Sequence, residues 1–452
     1  MQPYRFFALA IVGVSLLVVP SSAQAQTPPP VDDKTVTTLR QFFAESDAVK
    51  RADLAAKVAP LMPASPADWP ALLRRAYPFA DTKMGLHNFE APADGIVPAI
   101  KYVVSVPEGY QADPAQPWPL IVGIPGTGGS GGQALSSLSK WLGDDLGKFL
   151  IACPDAPDKE VYSFNELYVV YPQRVLDDVR RRLNVDGNRV ILTGYSKGGY
   201  TTWGTVLFSP AQWAGAAPMA SFPLTDAGRH GFELYLANVL NLDLQFHWGD
   251  QDILAGQTEG INTFARSAAG EMKRLKATRF EPIEYAGQGH GLTIDADKLK
   301  AFLAKARRTP WPASYTFTFH HVWEGSSYHV RAVKTSLLEL DFKNLPSVRV
   351  ANSADAKTAA IKLFRDRSYE FRVDVGDKAN SISVRTRNLR EIEISLSPQQ
   401  LDFSKPVRVL VDGKPVQEKK LDLDWKLLLE TVRTSGDFDR LVGAKIAYTI
   451  PR

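Results

Sequence analysis

Three stretches of this chain have residue types and spacing that could turn an alcohol into a nucleophile. They are a serine between glycines at Gly194-Tyr195-Ser196-Lys197-Gly198, two acids in His247-Trp248-Gly249-Asp250-Gln251-Asp252, and a histidine between glycines at Gly289-His290-Gly291. A serine hydroxyl is a weak nucleophile at neutral pH and needs a base within hydrogen-bond reach, itself oriented by an acid. The order serine, acid, histidine is the one these groups take when each follows a strand of a parallel sheet. Of the seven histidines, only His290 combines a place after the last strand of such a sheet with glycines on both sides. Asp252 is the expected acid because it lies further past its strand and can reach toward His290; Asp250 is the alternative, or else holds the loop through backbone bonds.

The elements that must position these groups follow from hydrophobic pattern. Val190, Ile191 and Leu192 form an apolar, β-branched run that reads as a strand buried on both faces, while Trp203, Val206 and Leu207 recur at helical spacing. A strand therefore turns into a helix almost without a loop, and Ser196 occupies the corner, where Gly194 and Gly198 remove the Cβ atoms that would clash. The pattern Gly-x-Ser-x-Gly also occurs at Gly128-Gly129-Ser130-Gly131-Gly132. Ser130 lies six residues past its strand in a slack glycine-rich loop, so Ser196 is the expected nucleophile.

An oxyanion needs two preorganised amides, one just after the nucleophile and one from the loop after an earlier strand. Lys197 supplies the first; Thr127 in Pro125-Gly126-Thr127-Gly128-Gly129 is the expected second donor, with Gly128 as alternate. No lysine followed by serine or threonine closes this glycine run, which argues against a phosphate-binding loop. Trp248 borders the acid loop and is the aromatic residue expected to line a substrate cleft. His247, ending a strand, reads as a structural hydrogen-bonder; adjacent His320 and His321 point to opposite faces of a strand and are poorly placed to share a metal. His87, His230 and His329 have no recognisable context.

The chain has 452 residues, 44% hydrophobic and 23% charged, with a formal net charge of +4. That balance argues against nucleic-acid binding by bulk charge. Residues 1–25 read as a signal peptide: Arg5, an apolar run from Phe6 to Val19, and Ala23-Gln24-Ala25 as cleavage site. Its removal takes away one arginine and no acid, leaving +3 and no transmembrane anchor, so a secreted or periplasmic protein is expected. Cys153 is the single cysteine; it lies in an apolar run and reads as a small buried hydrophobe, with no disulfide or thiolate cluster available.

Residues 26–98 show helical spacing broken by Pro60, Pro63, Pro66 and Pro70, and read as a helical segment that packs on the catalytic domain. From 99 to 309, apolar runs at 102–106, 120–124, 149–152, 190–193, 215–219, 244–248 and 280–285 alternate with helical stretches. This α/β pattern implies a mostly parallel sheet with helices on both faces and ligands at the strands' carboxyl ends. Beyond Pro310-Trp311-Pro312, residues 313–452 carry short period-two runs separated by turns, the pattern of an all-β sandwich-like domain, with one helical interruption near 427–433.

Pro-Gly-Thr-Gly-Gly at 125–129, Gly-Tyr-Ser-Lys-Gly-Gly-Tyr-Thr-Thr-Trp at 194–203, Ala-Ala-Pro-Met at 216–219, His-Trp-Gly-Asp-Gln-Asp at 247–252 and Gly-His-Gly at 289–291 together resemble the α/β-hydrolase superfamily. Within it, the likeness is to the secreted esterases grouped with polyhydroxybutyrate depolymerases, feruloyl and acetylxylan esterases and "predicted peptidase" relatives. The resemblance covers roughly residues 99–309. It implies a Ser196–His290–Asp252 triad, its His-Gly-x-x-Asp loop placing the acid on Asp252, and hydrolysis through an acyl-enzyme without a cofactor or metal. Pro125 stands where many relatives have histidine, and Trp248 separates His247 from Gly249. The β-rich part resembles domains appended to such hydrolases and carries no function with it.

The expectation is therefore an exported serine carboxylic ester hydrolase. The short connection between Met219 and Asp243 leaves no room for a large cap, which suggests an open cleft for bulky, aryl or polymer-linked esters, including cell-wall-linked ones. Two rivals stand beside it. One is a serine peptidase of prolyl-oligopeptidase type, disfavoured because the residues before Ile100 are too few for a propeller. The other is a surface or polysaccharide binding protein with a vestigial hydrolase domain, using aromatics such as Trp323, Tyr328 and Trp425.

Overall fold

The computed structural model describes residues 33–93, 95, 97–113, 115–156, 166–225, 231–253, 260–341, 353–376 and 379–451. The expected signal peptide at 1–25 and His230 lie outside them. Eight strands build the first sheet: β1 (Gly85–Ala91), β2 (Ile100–Val106), β3 (Trp118–Ile124), β4 (Leu150–Pro154), β5 (Val185–Tyr195), β6 (Gly215–Met219), β7 (Asp243–Gly249) and β8 (Phe280–Tyr285). Their spatial order is β1-β2-β4-β3-β5-β6-β7-β8. β2 runs antiparallel to both its neighbours, and the strands from β4 through β8 are parallel.

The central strands are buried on both faces, which is why they read as continuous apolar runs. Successive side chains go to opposite cores. Leu120, Val122 and Leu192 join Trp203 and Phe246 in one, whereas Ile121 and Ile191 join Leu299 and Phe302 in the other. Cys153 is fully buried in the second core, where burial pushes its thiol up to about 12. Register levels the strand ends that matter: Ile124 pairs with Gly194, Tyr195 with Met219, and Gly249 with Tyr285. The loops that follow β3, β5, β7 and β8 therefore emerge along one rim.

Strand β1 is absent from the helical reading of residues 26–98. Its Gly-Leu-His-Asn-Phe-Glu-Ala sequence alternates exposure along an edge and carries too few apolar residues to announce a strand. Before it, helices Asp33–Ala44, Ala48–Val58 and Trp69–Ala76 form a separate core. Leu39, Phe42, Leu72 and Leu73 pack there against Leu428, Leu429, Phe438 and Leu441, so this segment shares its core with the C-terminal region. Arg74 provides the link to the first sheet, donating to Val185 O at 2.7 Å.

The C-terminal region holds two further sheets. One has four strands, β10 (Ser326–Ser327), β11 (Val330–Thr335), β14 (Leu389–Leu396) and β17 (Ala444–Thr449); the other has five, β9 (Ser314–Phe319), β12 (Tyr369–Gly376), β13 (Ser381–Arg387), β15 (Val407–Val411) and β16 (Lys414–Lys419). Phe317, Phe371, Val373 and Val384 of the second face Val330, Ile392 and Ile394 of the first in one core, the arrangement of a sandwich. The expected helix near 427–433 spans Trp425–Ser435, and a second, unexpected one spans Ser353–Arg367.

A buried ionic cluster ties these parts together. Arg308 donates to both carboxylate oxygens of Asp437, at 2.6 and 2.8 Å, and Arg180 lies 3.8 Å from the same group. Arg74 bonds Asp439 at 3.1 Å. Burial disfavours the charged form of Asp437, but Arg308 and Arg180 overcome it and hold its carboxyl below the usual range.

Candidate active site

Strand β5 ends at Tyr195 and the helix Lys197–Phe208 begins two residues later, with Ser196 between them. Ser196 has φ 55° and ψ −117°, a left-handed conformation that costs a non-glycine residue about 1–3 kcal/mol. The surroundings enforce it: Ser196 N–H donates to Met219 O at 3.0 Å and Ser196 O accepts from Tyr200 N at 3.0 Å. The glycines do what the sequence requires of them. A Cβ on Gly194 would lie 2.3 Å from Gly198 O, and one on Gly198 would lie 2.3 Å from Ile124 O.

The corner aims Ser196 Oγ at His290 Nε2, 2.9 Å away. On the other side of the ring, His290 Nδ1 lies 3.0 and 3.2 Å from the two carboxylate oxygens of Asp252. With Nδ1–H donating to the carboxylate, Nε2 is the acceptor for the serine hydroxyl. Asp252 is only 1% exposed, so little water competes for its charge, while the His290 side chain is 48% exposed. The Asp252 hydrogen bond raises the imidazole's pKa above its ordinary value against a smaller opposing effect of partial burial.

The acid and histidine loops lean on each other. Gln251 N–H donates to Gln288 O at 2.9 Å, and a Cβ on Gly249 would lie 2.1 Å from that same oxygen, so only glycine admits the contact. Asp250 takes the other role open to it. Its N–H donates to Tyr285 O at 3.1 Å and its carbonyl accepts from Asn262 Nδ2 at 2.6 Å, and among the described residues its carboxylate makes no hydrogen bond to His290.

The loop after β3 lies beside the serine. A Cβ on Gly126 would stand 3.4 Å from Tyr195 O and 3.9 Å from Ser196 Cβ. Thr127 and Gly128 follow directly, and Lys197 is the first residue of the helix, its buried side chain carrying Nζ 4.7 Å from the centre of the Tyr168 ring. Lys197 thus stands at the N-terminal, positive end of the helix dipole, directly after the serine.

Trp248 is not in the cleft. It is 3% exposed, packs on Phe246 at 4.7 Å between ring centres, and donates from Nε1 to Glu284 at 2.9 Å. Alternation along β7 explains this, since Leu244, Phe246 and Trp248 share the core-facing side. His247, on the opposite side, contacts Tyr285 Oη at 3.0 Å and Gln245 Oε1 at 3.1 Å, and burial pushes its pKa down to about 3.

One residue at the site carries no signal in the sequence. Tyr195 Oη donates to His290 O and accepts from Leu292 N–H at 2.7 Å, bracketing the histidine with a side chain from the strand that bears the serine. Its position one before Ser196 was visible; its partner, 95 residues on, was not.

No protein family and no curated protein matches the sequence. Solved structures do. A thermostable esterase is 18% identical with a TM-score of 0.35, the match covering 50% of this chain and 63% of that one. S-formylglutathione hydrolase from Agrobacterium tumefaciens is 14% identical, with a TM-score of 0.38 and coverage of 50% and 98%. Acetyl xylan esterase from Aspergillus awamori is 13% identical, with a TM-score of 0.37 and coverage of 49% and 99%. The chain thus spans slightly under two thirds of the thermostable esterase and nearly all of the other two. The fold class rests on the strand order itself: an eight-stranded sheet with antiparallel β2 and a strand–serine–helix corner after β5 is the α/β-hydrolase fold. No described helix is long and apolar enough to cross a membrane.

Proposed function

We propose that the protein is an exported serine carboxylic ester hydrolase, with Ser196 as nucleophile, His290 as general base and acid, and Asp252 as the group that orients and stabilises the imidazole. The observation that carries this reading is the continuous hydrogen-bonded chain from Ser196 Oγ through His290 to buried Asp252. Ser196 Oγ attacks the ester carbonyl carbon while His290 Nε2 takes its proton. The oxyanion forms against the amides of Lys197 and Thr127, each such donor lowering the barrier by about 3 kcal/mol. The C–O bond to the alcohol then breaks, with His290 returning the proton to the leaving oxygen. A water molecule, deprotonated by His290, attacks the acyl carbon, and Ser196 Oγ departs with the proton.

These steps call on the chain's own groups and one water molecule, and no cofactor is part of the proposal. Export rests on the signal-like pattern at residues 1–25. Bulky, aryl or polymer-linked esters are the proposed substrates. The test is active-site labelling. A fluorophosphonate should label Ser196, the labelled protein should lose turnover of p-nitrophenyl acetate, and Ser196→Ala should take no label. A protein that neither takes the label nor hydrolyses the ester would overturn the reading.

A further inference from the structure

A groove of about 420 Å³ opens directly beside the site, between one face of the helix Gly131–Leu142 and the end of β5. Ala134, Leu138, Trp141, Tyr195 and Leu292 give it an apolar and aromatic lining, in which the Trp141 and Tyr195 ring centres lie 6.5 Å apart with their planes at 36°. Its rim is polar. Gln133, Ser137 and Lys140 recur at helical spacing, are exposed, and border the opening. The size is that of sites that hold small organic groups.

The groove shares the loop after β3 with the surroundings of the proposed nucleophile. Gly126 and Thr127 line the groove, and a Cβ added at Gly126 would stand 3.4 Å from Tyr195 O and 3.9 Å from Ser196 Cβ, space that glycine leaves open. With no side chain at 126, a substituent on a carbonyl held at Ser196 can cross the loop into the groove.

We infer that this groove seats an aryl group of the ester, its ring face against Trp141 and Tyr195 and its polar edge toward Ser137 and Lys140. The inference rests on the esterase reading above. A planar apolar ring matches the aromatic wall, since stacked or edge-on ring pairs add to simple area burial. The polar rim suits a hydroxyl or other hydrogen-bonding substituent on that ring, and Lys140, the one charged residue among the described residues lining the groove, disfavours a cationic one.

The test compares three esters on the full chain: methyl acetate, with no ring; phenyl acetate, with a ring on the alcohol side; and methyl benzoate, with a ring on the acyl side. Ser137→Trp, made at an exposed helix position, fills the groove, and Trp141→Ala removes its wall. Ser137→Trp should lower kcat/KM for an aryl ester about tenfold or more, while methyl acetate changes by less than about twofold, the range a pocket of this kind discriminates. Trp141→Ala should act in the same direction. Loss confined to methyl benzoate assigns the groove to the acyl side, and loss confined to phenyl acetate assigns it to the alcohol side. Equal changes for all three esters overturn the proposal. If the wild-type protein turns over none of them, the esterase reading has failed on its own, and calorimetric titration with benzoate and with phenol decides the groove. Saturable binding that Ser137→Trp removes supports it, and binding that is absent or unchanged overturns it.

Discussion

Ser130 and Ser196 stand in the same five-residue pattern, glycine on either side at the same spacing, and the fold gives them opposite fates. Ser130 has φ −109° and ψ 165°, ordinary extended backbone, and forms a capping box: Gln133 N–H donates to its Oγ, and its own N–H donates to Gln133 Oε1 at 2.8 Å. Its hydroxyl is engaged in starting a helix. Ser196 also precedes a helix, but at φ 55° its side chain makes no cap bond and points instead at His290. The difference lies in the backbone. An extended residue can fold its side chain over the helix entrance, whereas a left-handed one cannot, and the hydroxyl becomes available to an external partner. The shared glycines only permit the corner; what sets Ser196 apart is the strand-to-helix junction that holds it there, through Met219 O and Tyr200 N–H.

That contrast can be broken most severely at the proposed nucleophile. Ser196→Ala should lower kcat on p-nitrophenyl acetate by about 100,000-fold, whereas Ser130→Ala should leave it within about twofold, read by steady-state kinetics. Asp252→Asn should cost about 10,000-fold in kcat by leaving the imidazole in the wrong tautomer. It should also move the acidic limb of the pH profile. His290 must be neutral to act, its pKa is raised first by the Asp252 bond, and activity should therefore fall as pH drops through a value above the ordinary 6.5. Removing that bond should shift the limb to lower pH; an unshifted limb would contradict the assignment.

Stability should separate the two serines as well. Gly198→Ala forces a Cβ to within 2.3 Å of Ile124 O, backbone that cannot give way cheaply, and should destabilise the fold by about 3 kcal/mol or more in denaturant titrations. At the other pattern, Gly132→Ala meets only Ser130 Oγ at 3.7 Å and should be neutral or raise stability by about 0.5 kcal/mol. Ser130→Ala loses the cap and should cost about 1 kcal/mol.

How far the sequence revealed this depends on which forces leave a local trace. Val190 to Leu192 and Gly215 to Met219 were legible because strands buried on both faces must be apolar throughout. Ser196, Asp252 and His290 were legible because each sits in a loop whose glycines allow close approach. Edge strand β1 was not, since half its residues face water and its pattern blends with a polar loop. The helix Ser353–Arg367 was hidden by a neighbourhood of period-two runs. Trp248 was misplaced by weighing its nearness to the acid loop above the alternation it shares with Phe246, which the sequence did contain. The partners of Leu39 and Phe42, nearly four hundred residues away, left no local trace.

The Arg180–Asp437–Arg308 cluster bears on how such a chain can be cut or recombined. An N-terminal half ending at Pro312 would strip Arg180 and Arg308 of the Asp437 carboxylate that both guanidinium groups face in the intact chain. It would also uncover the greasy side of Leu39, Phe42, Leu72 and Leu73. Residues 425–443 thus behave as a keystone for a part of the molecule they follow by hundreds of positions, and grafting the hydrolase portion onto a foreign scaffold would have to bring them along.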